Sequence, residues 1–196
     1  MATLKELRDE RLRKLEELKT LGVDPYPATA YRDHTVAKIL ADYDTLESAS
    51  TVVTVAGRIT NIRKFGKIAF IVVRDAHDTL QLFLSQEEVA KPDYANSELG
   101  FDNLNLLDAG DFIEVSGVAA TTKTGERSIT VQRLRLLTKS LRPMPTAQDG
   151  FTNKEERLRR RYIDTNVNKD VHQRFIRRSK FWQATRDFLN KEGFIE

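Results

Sequence analysis

Residues 52–84 constrain the fold most, because apolar and polar residues alternate there with a period of two in three successive runs. This alternation is typical of antiparallel strands that bury one face. Successive side chains of a strand point to opposite faces. The inward set predicted for the second and third runs is Ala69, Ile71, Val73, Leu80, Leu82 and Leu84. Phe70 and Gln81 are then expected to emerge together on the outer face.

An outward Phe70 beside Gln81 has the chemistry to bind a nucleobase. The ring can stack on a base, and the amide can hydrogen-bond the edge of that base. Arg63, Lys64 and Lys67 are close in sequence and can attract the phosphate. The alternative is that the charges form an ordinary solvated surface and that Phe70 belongs to a minor core under the N-terminal helix.

Residues 51–140 are predicted to form one five-strand unit. A fourth strand is expected over residues 111–121 and a fifth over residues 128–138, with a turn at Thr124-Gly125-Glu126 between them. A capping-box pattern at Ser85-Gln86-Glu87-Glu88 predicts a short helix after the third strand.

The run from residue 91 to 105 is polar and poorly patterned, which predicts a long surface excursion. Three meandering strands, a helix and a hairpin are the element order of an OB-fold barrel. The same order also fits an SH3-like barrel or an incomplete sandwich. In an OB-fold, oligonucleotides bind to the face of strands two and three and to two loops, here 64–67 and 122–127.

Residues 1–50 are predicted to form an N-terminal helix and a connection. The helix covers residues 3–21, with Thr3 and Glu6 as a capping box and Gly22 after its end. An apolar stripe on it is formed by Leu4, Leu7, Leu15 and Leu18, and it should pack on the next domain or on another subunit. A short helix capped by Thr35 is expected from Val36 to Tyr43.

Residues 141–153 contain prolines and a glycine and are predicted to be a linker. Residues 154–196 are predicted to be helical. Thr152 opens a capping box with Glu155 at the start of a very basic helix, and Asn168 caps the last helix.

The last helix is expected to end at Gly193, with residues 194–196 starting a strand. Helical spacing makes Phe175 and Trp182 core or subunit-interface residues. So much uncovered apolar surface predicts a fragment of a longer protein.

Composition excludes several classes of protein. Cys is absent, so neither disulfides nor Cys-ligated metals are possible. No apolar run approaches the roughly 18 residues that a membrane span needs, and the N-terminus lacks a signal-peptide core. A cytoplasmic protein is therefore expected. Residues 139–196 contain 14 Lys and Arg but only 8 Asp and Glu, so the basic excess of the chain lies in this last segment. This uneven distribution favours a polyanionic partner that contacts selected strips of the protein surface.

No residues with the spacing of a catalytic site were found. The sequence has no Gly-rich phosphate loop, no metal-ligand spacing and no nucleophile elbow. His34, His77 and His172 are scattered and are predicted to be surface or loop residues. We therefore expect no metal and no cofactor in this chain.

Several stretches together resemble the N-terminal part of bacterial-type class II lysyl-tRNA synthetases. They are LEELKTLGVDPYP at 15–27, VAGRI, GKIAF and LQLF within 55–83, TKTGERSI, LRLLTKSLRPMP, ERLRRRYID at 156–164, and residues 175–196. The resemblance covers essentially the whole chain. The barrel alone would also fit aspartyl- or asparaginyl-tRNA synthetases.

The resemblance implies roles for four residues. Phe70 matches the stacking Phe of the family, and Gln81 matches the Gln that reads the central anticodon uridine. Glu126 matches the acid that contacts the wobble uridine, and Arg63 matches the Arg before the turn between strands one and two. The implied partner is the anticodon loop of a lysine tRNA.

The resemblance also implies what the whole enzyme does. It would attach lysine to its tRNA with ATP and magnesium and would be a homodimer. The chain stops before the class-defining proline of motif 1 and lacks motifs 2 and 3, so it is expected to be inactive alone. Two other functions remain open: a single-strand-binding module without base preference, and a structural or dimerisation fragment.

Overall fold

The computed structural model describes residues 3–76, 78–145 and 151–196. The chain forms two compact units, Met1–Pro143 and Met144–Glu196. The first contains a barrel with three flanking helices, and the second is helical.

Five strands close into a barrel in the first unit. They are β1 (Val52–Phe65), β2 (Ile68–Arg74), β3 (Thr79–Ser85), β4 (Phe112–Thr121) and β5 (Arg127–Thr138). Their order is β1-β2-β3-β5-β4, with β3 parallel to β5 and all other neighbours antiparallel. This closed order confirms the predicted OB-fold barrel over an SH3-like barrel or an incomplete sandwich.

The predicted inward faces of β2 and β3 are confirmed. Ala69, Ile71, Leu82 and Leu84 are fully buried, and their neighbours in each strand are half-buried or, at Ile68, exposed. Burying one aliphatic side chain stabilises a fold by about 1.5–3 kcal/mol. The apolar residues that alternate in the sequence of β2 and β3 therefore form a large part of the barrel core.

A bulge in β1 changes which of its side chains face outward. The register shifts between Ile59, which pairs with Val73, and Asn61. Ile59 and Arg63 would share a face in an uninterrupted strand, because their side chains are an even number of residues apart. After the bulge Arg63 pairs with the outward residue Phe70, while Ile59 stays buried.

The N-terminal helix, α1 (Leu4–Thr20), begins as predicted. Thr3 N donates to Glu6 Oε2 (2.7 Å) and Glu6 N donates to Thr3 Oγ1 (3.2 Å), which completes the capping box. The predicted leucine stripe is only half correct. Leu15 and Leu18 are buried, but the side chains of the stripe's first turns, Leu4 and Leu7, are exposed.

A buried arginine replaces the first half of that stripe. Arg11 is buried, and its guanidinium donates to the carbonyls of Ala109 (2.9 Å) and Ser140 (3.1 Å). Backbone carbonyls that have no partner within a helix or strand can accept such charge-assisted hydrogen bonds. Helix α1 therefore packs on the barrel partly through a charged side chain, which a hydropathy pattern does not reveal.

Two helices occupy the connection before β1, where one was predicted. Thr35 caps α2 (Val36–Ala41), as expected, by accepting from Lys38 N (3.2 Å). The helix breaks at Asp42, and α3 (Tyr43–Ser48) follows. Tyr43 is buried against the barrel, which explains why the chain turns there instead of continuing.

The segment between β3 and β4 differs from the prediction in two ways. The short helix predicted at residues 85–88 is a single turn, in which Val89 N donates to Ser85 O. Ala90 N then pairs with Gln132 O of β5 (2.8 Å), which draws the chain out of the helical path.

The run 91–105 was predicted to be a surface excursion, and this prediction was wrong. It contains 3₁₀ helices at Tyr94–Asn96 and Phe101–Leu106. Leu99, Phe101 and Leu104 are buried in the barrel core. Their apolar side chains close one end of the barrel, whereas the polar residues between them remain at the surface.

A polar cluster of Lys14, Asp108, Asp111 and Lys139 joins α1 to the end of β5. Lys139 and Asp111 are fully buried, and Lys139 Nζ lies 2.7 Å from Asp111 Oδ2. Lys139 Nζ also bonds Asp108, which receives a second bond from Lys14 Nζ (2.8 Å). Ser140 N donates to Asp111 Oδ1 (2.7 Å). All these buried charges are therefore paired and hydrogen-bonded.

The polar cluster predicts how stability depends on pH. Burial of Asp108 favours the protonated form, but hydrogen bonds from Lys139 and Lys14 outweigh burial and lower its pKa. The carboxylate therefore stabilises the fold fully above the pKa of unfolded Asp, about 3.9, and this stabilisation is lost as pH falls through the lower folded pKa.

We expect the unfolding free energy of the chain to exceed that of Asp108→Asn by a constant amount above about pH 5 and to lose that advantage below about pH 4. Urea unfolding followed by circular dichroism at a series of pH values measures both proteins. An advantage that stays constant down to about pH 3 would contradict this assignment.

The second unit contains α4 (Lys154–Arg159), α5 (Arg161–Val167) and α6 (Lys169–Lys191). The predicted single basic helix is thus broken at Arg160, whose φ of −114° and ψ of 53° are not helical. The cap is also shifted by one residue from the predicted Thr152. Asn153 Oδ1 accepts from Glu155 N (3.0 Å) and Glu156 N (3.1 Å).

A buried carboxylate organises the turn between α5 and α6. Asp164 is fully buried and accepts from Arg157 (2.9 Å), Arg161 (2.7 Å) and Asn168 (2.6 Å). Asn168 precedes α6 as predicted, but its side chain donates a hydrogen bond to Asp164 and does not cap the helix.

The end of α6 follows the prediction only in part. Gly193 lies just after the helix with a φ of +86°, which suits glycine. Residues 194–196 form no strand. The predicted linker 141–153 contains the boundary between the units, and its residues 146–150 lie outside the described part of the chain.

The second unit exposes large apolar side chains. Phe175 and Trp182 are 42% and 54% exposed, so neither is buried within this unit. Their assignment to a core or a subunit interface stays a prediction. Among the described residues, no helix combines the length and the apolar character that crossing a membrane requires.

Candidate nucleic-acid interface

The outer face of β2 and β3 carries an aromatic pair and an amide. Phe70 lies directly opposite Phe83, and Val72 lies opposite Gln81. The ring centroids of Phe70 and Phe83 are 5.5 Å apart at an interplanar angle of 48°. Phe70 and Gln81 are therefore diagonal neighbours on one face, where both are half-buried. Side chains at such positions are close enough to act on one ligand.

Strand β1 extends this face with a cation and a third aromatic ring. Arg63 pairs with Phe70, and Phe65 pairs with Ile68. The Phe65 ring is 60% exposed, and its centroid lies 6.4 Å from that of Phe70 in an edge-to-face arrangement. Phe65 and Phe83 were not predicted as site residues. The sequence of β1 did not predict that Phe65 points outward, because the bulge reverses which residues of the strand face the core.

The loop between β4 and β5 reaches this face through a hydrogen-bonded chain. Gln81 Nε2 donates to Ser128 Oγ (3.0 Å), and Ser128 Oγ donates to Glu126 O (3.3 Å). Gln81 and Ser128 are partners in the parallel pair of β3 and β5. The carboxylate of Glu126 is exposed to solvent. Gln81 is thus linked, through the Ser128 hydroxyl, to the backbone carbonyl of Glu126, although the two residues are far apart in the sequence.

The turn that holds Glu126 is stabilised by hydrogen bonds within the turn. Glu126 N donates to Thr122 Oγ1 (3.1 Å), and Thr122 N donates to Glu126 O (3.0 Å). Gly125 has a φ of +83°, the left-handed conformation that such a turn requires.

Ser128 is itself anchored by α3. Tyr43 OH donates to Ser128 O and accepts from Ser128 N, both at 2.8 Å. The Arg127 guanidinium lies 5.0 Å from the centroid of the Tyr43 ring and bonds Asp44 (3.0 Å). Sequence reasoning missed Tyr43 and Ser128, because no local pattern links residues 43 and 128.

The three basic residues predicted near the site lie in different places. Arg63 is exposed on the outer face with Phe70. Lys67 is exposed in the β1–β2 turn, at the edge of that face. Lys64 pairs with the inward residue Ala69, and its Nζ lies 4.9 Å from the centroid of Phe101. Lys64 therefore points to the end of the barrel and away from the ring of Phe70.

The histidines form no site in the part of the chain that the structure describes. His34 lies outside the helices and strands, as predicted, and its Nδ1 bonds Asp33 Oδ1 (2.7 Å). His172 lies in α6, and His77 lies outside the described residues. No group of three His, Cys, Asp or Glu that could hold a metal occurs among the described residues.

The barrel and its outer face define a class of protein. A five-strand barrel with rings for stacking and an amide for hydrogen bonding is an OB-fold nucleic-acid-binding domain. Residues 53–137 match the family described as the OB-fold nucleic acid binding domain.

Relatives of known activity align with nearly the whole chain. The chain is 39% identical over 194 residues, 98% of its length, to the lysine–tRNA ligase of Chloroflexus aurantiacus. It is 40% identical over 195 residues, again 98%, to that of Roseiflexus castenholzii. It is 38% identical over 199 residues, covering 100% of the chain, to that of Thermosynechococcus vestitus.

By sequence, the chain corresponds to the N-terminal, anticodon-binding region of lysine–tRNA ligases. It spans 38% of the length of the first two relatives and 39% of the third. The catalytic part of the relatives lies outside the matched region.

Proposed function

We propose that this chain binds the anticodon loop of a lysine tRNA and selects it by the central base. The observation that carries this proposal is the diagonal placement of Phe70 and Gln81 on the outer face of β2 and β3. Anticodon bases are single-stranded, so they can be splayed out, stacked on a ring and read at their edges.

Each predicted contact has a physical reason. Phe70, with Phe83 beside it on the same face, offers a surface on which the central base stacks. Gln81 offers a donor and an acceptor, which suit the O4 and N3–H of uracil. The Glu126 carboxylate can accept from N3–H of a wobble uridine. Arg63 and Lys67 are the cations placed to attract the backbone phosphates.

We further propose that this recognition serves the attachment of lysine to tRNA. The relatives are named lysine–tRNA ligases. ATP and magnesium would act in their catalytic part, and no residue of this chain is assigned to either. A homodimer of the whole enzyme, which the resemblance implies, and a cytoplasmic location, which the composition led us to expect, belong to this proposal.

A binding experiment with four RNA stem-loops tests the proposal. The loops are a lysine-type anticodon loop and its variants with cytidine, adenosine or guanosine at the centre. Fluorescence anisotropy at fixed salt gives the Kd of each. We expect the chain to prefer uridine, and we expect Gln81→Ala to reduce that preference about three- to tenfold through the lost edge contacts.

Gln132→Ala is the matched control, because Gln132 is an exposed amide elsewhere on β5. It should leave the preference unchanged. Equal binding of all four loops by the unchanged chain would instead support a single-strand-binding module without base preference. A preference that follows the third anticodon base, measured with additional loops that vary that base, would favour aspartyl or asparaginyl specificity. A dimer without RNA affinity, detected by light scattering, would favour a structural fragment.

A further inference from the structure

The hydroxyl of Ser128 sits between the amide of Gln81 and the turn before β5. It accepts a hydrogen bond from Gln81 Nε2 at 3.0 Å and donates to the carbonyl of Glu126 at 3.3 Å. Ser128 is fully buried, whereas Gln81 is half-buried and so remains partly accessible to solvent. The hydroxyl therefore touches Gln81 from beneath the binding face.

A serine hydroxyl has one proton to donate. If that proton is donated to another group, the hydroxyl oxygen can only accept from an amide, and it then binds the NH₂ end of the amide. Because the Ser128 proton points to Glu126 O, the oxygen offers Gln81 a lone pair. That lone pair selects the Nε2 end of the amide. Gln81 Oε1 has no hydrogen-bond partner among the residues that the structure describes, so it is free to meet a ligand.

The orientation of this amide decides between the two pyrimidines. Uracil presents an N3–H donor beside the O4 acceptor, whereas cytosine presents an N3 acceptor beside an N4–H donor. An amide that is free to turn over can match either pattern. Turning Gln81 over would require Ser128 to withdraw its proton from Glu126 O and point it at Gln81 Oε1, so reading cytosine costs a hydrogen bond.

The backbone of Ser128 is held rigidly enough for this role. Tyr43 OH bonds both the N–H and the carbonyl of Ser128, and Tyr43 is 1% exposed. The α3 helix, which lies outside the barrel, thereby fixes the strand position from which the hydroxyl reaches Gln81.

We propose that Ser128 is a positioning residue that orients the Gln81 amide so that the site accepts a central uridine and disfavours a central cytidine. The proposal rests on the proposed function, because it assumes that Gln81 meets the central base. It assigns a specificity role to a buried residue that does not itself touch the RNA.

Two stem-loops that differ only in a central uridine or cytidine test the consequence for binding. The chain should bind the uridine loop more tightly than the cytidine loop. Ser128→Ala should lower the ratio of the two affinities about three- to tenfold, mainly by tightening the cytidine complex. Ser128→Thr retains the hydroxyl and should restore the ratio. Tm values of all variants report on folding.

Nuclear magnetic resonance of the free protein tests the positioning without RNA. The two Nε2 protons of Gln81 should have distinct, slowly exchanging signals in the chain and in Ser128→Thr. In Ser128→Ala these signals should move towards those of an exposed amide such as Gln132. The signals of Tyr43 neighbours serve as a check that the strand is intact.

The outcomes separate the two proposals. A chain that prefers uridine, with a Ser128→Ala variant that folds and retains the same ratio, overturns the role of Ser128 alone. Unchanged Gln81 signals in Ser128→Ala also overturn it. A chain that binds neither stem-loop overturns the proposed function, and the role of Ser128 in base choice with it.

Discussion

Replacing Phe70 with alanine is expected to weaken binding of a lysine-type anticodon stem-loop by about 1–3 kcal/mol, or roughly 5- to 150-fold in Kd. Stacking of a base on an aromatic side chain contributes about this much per base. Phe70 is the central ring of the outer face, with Phe65 and Phe83 on either side at 6.4 and 5.5 Å. Removing it takes away the surface on which the central base would lie.

The size of the effect should not depend on which base is central, because every base has a π face. Phe70→Ala should therefore weaken the uridine and cytidine loops by similar factors, unlike the substitutions of Gln81 and Ser128. Titration by fluorescence anisotropy measures both loops. Phe70→Leu, which retains apolar volume but not the ring, should be weakened nearly as much.

Tyr31→Ala is the matched control for Phe70→Ala. Tyr31 is an exposed ring (67%) that lies over Arg135 of β5 and away from the outer face of β2 and β3. This control should bind RNA as the unchanged chain does. If Phe70→Ala retains its fold and its affinity, the outer face is not the binding surface.

Replacing Lys139 with methionine is expected to cost about 3–5 kcal/mol of unfolding free energy in the barrel unit. The substitution retains most of the side-chain volume but leaves Asp111 buried without its cation. The side chains of both residues are fully inaccessible to solvent. A buried carboxylate that loses its partner bears a desolvation cost that water cannot relieve.

A second substitution separates the lost charge from the lost packing. Lys139→Met combined with Asp111→Asn leaves no unpaired charge between the two positions, so it should recover part of the stability. Arg13→Met, at an exposed ion pair on α1, is the control and should leave stability nearly unchanged. Urea unfolding followed by circular dichroism measures all variants. A Lys139→Met variant as stable as the Arg13→Met control would contradict the prediction.

The strands were predictable because strand alternation is a local property. Ala69, Ile71, Leu82 and Leu84 follow a period of two, and the structure buries all four. The capping box at Thr3 was also predictable, since its two hydrogen bonds join residues within a single turn.

Elements held by distant contacts were predicted poorly. The pattern at residues 85–88 fits a helix start, but the pairing of Ala90 with Gln132 competes with the helix. Leu99 and Phe101 occur in a polar run, yet they fill the end of the barrel. A local pattern cannot reveal that a barrel has an open end to be filled.

Alternation within β2 and β3 is enough to predict that Phe70 and Gln81 point away from the core. The surroundings of these two side chains follow from contacts between strands that are distant in the sequence. The bulge in β1 places Arg63 and Phe65 beside Phe70, and the parallel pairing of β3 with β5 places Ser128 under Gln81. Gln81 and Ser128 are 47 residues apart, and contacts over such a distance form only when the barrel closes.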